Sequence, residues 1–125
     1  MTGYSVTITE ASKELTGKEK VMLKYFDECI SLDSAVTSET GLIITPEYFA
    51  IAKVHNEKSD NKEYEKYIIV DKDGTRYVTG SQPFFSSFHD IFADMSGDSE
   101  PWQIKVKKKE SKNYKGGKFL TCSLI

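Results

Sequence analysis

Apolar and polar residues alternate along much of this chain, and in one stretch they recur at helical spacing instead. Tyr4–Thr9 alternates and is rich in β-branched residues, which predicts a strand. Tyr64–Val70 and Arg76–Thr79 predict two more, joined as a hairpin through the turn Asp71–Gly74, where glycine supplies the positive φ. Trp102–Lys107 and Lys118–Leu124 alternate cleanly and predict a terminal hairpin with a long tip from Lys109 to Gly117. Leu42–Ile44, Pro46 and Tyr48–His55 carry apolar residues at both parities. That suits one long, bent strand whose surroundings change along its length.

Lys18 to Asp33 carries two periods at once. Met22, Phe26, Cys29 and Ile30 fit a helical stripe, while Leu23–Tyr25 and Cys29–Leu32 alternate as strands do. Extended structure broken near Asp27–Glu28 is the favoured expectation. Ser34–Gly41 and Asn56–Lys62 are small, polar or charged and predict loops.

The helical stretch is unambiguous. Ser81 is placed to cap it, Pro83 is tolerated in its first turn, and Gly97 ends it. Phe84, Phe85, Phe88, Ile91, Phe92 and Met95 fall within about 120° of a helical wheel. Ser86, Ser87, Asp90 and Asp94 take the other side. The order is strands, hairpin, one amphipathic helix, two strands. This predicts a mainly β fold: a five-stranded OB barrel with the helix between strands three and four, in a single domain over residues 1–125. An α+β sandwich is the rival architecture.

Charge sharpens the picture. The chain carries −2 in total, yet from Trp102 onward seven lysines face one acid, giving +6 there and −8 elsewhere. Positive charge gathered on one hairpin makes a local field for a polyanion that the total charge conceals. No run approaches the ~20 apolar residues of a membrane span, so no membrane partner is expected. Cys29 and Cys122 lack metal or redox spacing and are expected to be free buried thiols in a reducing cytoplasm. No P-loop, nucleophile elbow, GxGxxG or metal-spaced ligand set is present, so neither catalysis nor a cofactor is expected. His89 lies just beyond the apolar stripe, where a structural role is expected, and Asp71 and Asp73 suit turn chemistry.

Three stretches carry a resemblance: Asp71–Ser81, Ser86–Ile91, and Trp102–Val106 continuing through Ser111–Ser123. In them the chain resembles the small single-stranded DNA-binding proteins of tailed phages that infect Gram-positive bacteria. The likeness covers roughly Leu42 onward. It implies an OB fold and non-sequence-specific binding of single-stranded DNA in phage replication or recombination, in the cytoplasm of the infected host. Phage replication or recombination proteins are the implied protein partners. The final Thr121–Ile125 reads as a strand, not as the acidic tail by which cellular single-strand binding proteins recruit enzymes. A competing class is an OB-like protein-interaction or anti-host module that binds no DNA.

Single-stranded DNA asks for cations along its phosphates and flat rings beneath its bases. The cations expected to serve are Lys105 and Lys107, on the solvent side of one strand, with Lys109, Lys112, Lys115 and Lys118. The candidate rings are Tyr114 on the hairpin tip, one of Tyr64 and Tyr67, and Tyr48, which should oppose Phe49 across its strand. Trp102 shares a parity with Ile104 and Val106 and is expected to pack inward. The segment up to Leu32 is expected to support a homodimer.

Overall fold

Pro46 is where the chain changes sheets. The structure, a computed structural model, describes residues 4–36, 41–58, 62–95, 97, 101–110 and 118–125. Its elements in chain order are β1 (Tyr4–Ala11), α1 (Gly17–Leu23), a 3₁₀ turn (Phe26–Glu28), β2 (Ile30–Ser31), α2 (Leu32–Ala35), β3 (Leu42–Ile44), β4 (Pro46–Asn56), β5 (Glu63–Asp71), β6 (Arg76–Thr79), α3 (Gln82–Met95), β7 (Ile104–Glu110) and β8 (Lys118–Leu124). They form a five-stranded sheet in the order β1-β4-β5-β6-β2 and a three-stranded sheet in the order β3-β7-β8. The fold is mainly β, but the expected single five-stranded barrel is replaced by two sheets. The long bent strand is likewise two strands, β3 and β4, which part at Thr45. Proline has no N–H to give a ladder, so a strand tolerates it at its first residue, where β4 has it.

Two compact units result, interleaved in sequence: Met1–Ile30 with Glu47–Gly80, and Ser31–Pro46 with Ser81–Ile125. In the first, β1 pairs antiparallel with β4 from Tyr4↔Asn56 to Ala11↔Ala50, with a bulge between Ile8 and Glu10. One sheet face carries Tyr48, Ala50, Ala52, Ile68, Val70 and Val78, and these cluster with Leu23 of α1. Val6, Ile8, Phe26 and Cys29 pack on the margin of that cluster. The β5–β6 turn is as expected. Gly74 sits at φ +92°, its N–H donates to the Asp71 carbonyl at 2.9 Å, and the Asp73 carboxylate accepts from Thr75 N–H at 2.8 Å.

The ambiguous segment is helical before it is extended, contrary to expectation. Thr16 caps α1 through a reciprocal box: its Oγ1 accepts from Glu19 N–H at 3.1 Å, and Glu19 Oε1 accepts from Thr16 N–H at 2.9 Å. A threonine followed three residues later by glutamate is a start signal readable in the text. It outweighs the short alternation that follows. Lys13 donates to the other Glu19 oxygen at 2.7 Å, and these bonds hold that carboxyl at about 2, well below 4.5. The contribution of the box is therefore present above about pH 4.5 and lost as pH falls towards 2.

In the second unit α3 packs against β8. Ser81 caps the helix, its Oγ accepting from Phe84 N–H at 3.4 Å. Phe84, Phe85 and Phe88 are buried, Ile91, Phe92 and Met95 are half-buried, and Ser86, Ser87, Asp90 and Asp94 are exposed, as the wheel requires. The rings run as a chain, Phe85 to Phe88 at 5.9 Å, Phe88 to Phe92 at 5.8 Å, and Phe92 edge-on to Trp102 at 5.7 Å. Ile44, Ile104, Val106 and Leu120 are buried in the three-stranded sheet.

Candidate nucleic-acid interface

Strand parity fixes which lysines of β7 face outward. Ile104 and Val106 are wholly buried, so Lys105 and Lys107, half-exposed between and beyond them, lie on the opposite face of the sheet. Register places Ile43 and Ser123 on either side of Lys105, and Thr121 beside Lys107. Thr121 Oγ1 donates to the Lys107 carbonyl at 3.3 Å. The outer face thus carries two ammonium groups two residues apart, roughly 6.6–7 Å along the strand, close to the phosphate spacing of an extended single strand. Two hydroxyls and Ile43, 52 % exposed, accompany them.

Lys108 belongs to the other parity. Its Nζ donates to the backbone carbonyl of Asp33 in α2, so this cation serves the fold. The alternation Ile104, Val106, Lys108 carries that distinction in the sequence. Lys109 and Lys118 are placed by backbone, paired with Phe119 and Glu110 respectively. Lys112, Tyr114 and Lys115 fall outside the described residues.

Gly41 lies close against the outer face. It sits at φ +80°, and a Cβ there would come within 3.0 Å of the Val106 carbonyl oxygen and 3.1 Å of the Cγ atoms of both Lys105 and Lys107. A side chain at residue 41 would therefore meet both lysine stems and could enter only if they gave way by a few tenths of an ångström. Gly41→Ala should cost about 1–3 kcal/mol from the left-handed backbone alone. The clash with a backbone oxygen adds to this. Urea titration of the variant checks it, and unchanged stability would show that the contact is slack.

The expected rings fare differently. Tyr64 and Tyr67 do take opposite faces of β5. Tyr67 is 5 % exposed, and burial together with nearby Glu65 raises its phenol above the ordinary range. Tyr48 and Phe49 were expected to leave one ring outward, yet both are buried, Tyr48 at 7 % exposure. The reason is position: β4 is an interior strand between β1 and β5, and Tyr48 belongs to the core cluster, with the Lys13 ammonium 4.3 Å from its ring centre. Tyr48 and Tyr67 thus offer no ring face to a base. Tyr64 is half-buried, with the Lys66 ammonium 5.9 Å from its ring centre. Tyr25, which sequence reasoning passed over, is 48 % exposed.

Both cysteines are free and half-buried, not fully buried as expected. Burial pushes the Cys122 thiol up to about 12, which keeps it protonated and unreactive at neutral pH. Among the described residues no group of three His, Cys, Asp or Glu side chains is arranged to hold a metal ion. Nor is any described helix long and apolar enough to cross a membrane. Comparison with protein-family models, curated proteins and solved structures finds no match for this chain.

Proposed function

We propose that the outer face of the three-stranded sheet binds single-stranded DNA without sequence preference, and that the chain serves DNA replication or recombination of a phage in its host's cytoplasm. The phage setting rests on the resemblance in the text. The binding rests on one observation: Lys105 and Lys107 stand side by side on an outward face whose reverse is apolar and buried, while Lys108 is diverted into the fold. A cation held this way keeps its stem ordered and its head in water, so pairing with phosphate costs little ordering. With Tyr48 and Tyr67 buried, affinity on this reading comes mainly from charge. No catalytic step is proposed.

The test is fluorescence anisotropy of labelled oligo-dT across a salt series. Two phosphate contacts give a slope of log K against log[salt] of about −1.4, and five, counting Lys109, Lys112 and Lys115, about −3 to −4. A flat profile removes the electrostatic basis of the proposal. Absence of binding at tens of micromolar protein turns the assignment to the protein-interaction module.

A further inference from the structure

The first unit exposes three large apolar side chains within one five-residue stretch. Val21 is 49 % exposed, Met22 37 % and Tyr25 48 %, all at the end of α1 and the turn that follows. The cluster stands on firm backbone. Tyr25 N–H donates to the Met22 carbonyl at 3.2 Å, and the Arg76 guanidinium of β6 donates to the same oxygen. Apolar side chains gathered at one place and rimmed by charge mark an interaction surface.

The rim identifies the partner. Lys18 and Lys20 lie on α1 before the cluster, Lys24 lies within it just past the helix end, and Asp27 and Glu28 follow it on the 3₁₀ turn. Among the described residues none of these five charges has an ion-pair partner, whereas the neighbouring Glu19 is engaged by Lys13. A polyanion or an anionic lipid surface would meet the two carboxylates as well as the lysines. A second copy of the same surface, turned through a two-fold axis, would not meet that conflict. It sets the lysines of one copy against the acids of the other and closes apolar cluster on apolar cluster. That self-complementarity is what an isologous interface requires.

We propose that this surface, centred on Val21, Met22 and Tyr25, is a homodimer interface. The assignment is independent of the nucleic-acid reading, which concerns the other unit. Three large side chains per copy make a small interface, so a weak, concentration-dependent dimer is expected.

Sedimentation velocity of the full chain from about 1 to about 300 µM tests it, and a monomer–dimer equilibrium is expected. Val21→Asp should weaken dimerisation tenfold or more, with circular dichroism unchanged and the thermal midpoint little changed at concentrations where the parent is monomeric, because the site is exposed. A second pair of variants removes dependence on that one. Lys24→Glu and Glu28→Lys should each dimerise poorly alone, and mixing the two should restore association. A strict monomer throughout the range overturns the proposal. So does a dimer indifferent to all three substitutions. Weakened oligo-dT binding by Val21→Asp, with no change in mass, would reassign the patch to nucleic acid.

Discussion

Replacing Phe88 with alanine should lower the unfolding free energy by about 3–5 kcal/mol. Phe88 is fully buried in the middle of α3, and its ring lies between those of Phe85 and Phe92, which in turn meets Trp102. Deleting the ring removes its transfer free energy and leaves a hole that the two neighbouring rings, fixed on the same helix, cannot close. Trp102 is the chain's one tryptophan and touches this ring chain, so its fluorescence reports the second unit directly. Urea unfolding followed at Trp102 should show the loss. Asp90→Ala, on the exposed side of the same helix, should stay within about 0.5 kcal/mol of the parent. Equal changes in the two variants would mean that the Phe88 ring adds no packing energy, since alanine favours the helix at either position.

The double substitution Lys105→Ala, Lys107→Ala should remove most affinity for oligo-dT at low salt while leaving the fold intact. Both side chains leave the sheet on its outer face, and the strand is held by Ile104 and Val106 on the other. Each lost phosphate contact should make the salt slope shallower by about 0.7, so the pair should change it by about 1.4. Lys108→Ala is the informative contrast. Its ammonium is engaged by the Asp33 carbonyl, so its loss should lower stability and leave the slope as it was. If Lys108→Ala flattens the slope and the double variant does not, the phosphates lie on the other face.

What the sequence made legible was local. The wheel of α3, the Ser81 cap, the Asp71–Gly74 turn and the parity of β7 all follow from spacings within a few residues, and all are present as expected. The start of α1 is local too: Thr16 and Glu19 spell a capping box, which outweighs the short alternation from Leu23 to Tyr25. What escaped altogether depends on pairings between distant segments. Tyr48 alternates like any half-exposed strand residue, and only the side chains gathered on its sheet face, Leu23 of α1 among them, bury it. Neither text nor period records that neighbourhood. The division of Leu42–Asn56 between two sheets escaped for the same reason, although Pro46 marked the place.

The interleaving of the units sets an order of assembly during synthesis. The first unit ends at Gly80, so all its strands have been made while β7 and β8 have yet to be translated. Residues 31–46 are by then already made, and β3 has nothing to pair with until Ile104–Val106 emerges some 60 residues later. For that interval, several seconds at an ordinary bacterial rate of about 5–20 residues per second, Leu42, Ile43 and Ile44 must wait without a ladder partner. The nascent chain thus carries three adjacent aliphatic residues in a segment that precedes its partner strand. This makes slow elongation between residues 80 and 106, not instability of the finished fold, the condition under which the chain is most exposed to aggregation or to capture by a chaperone.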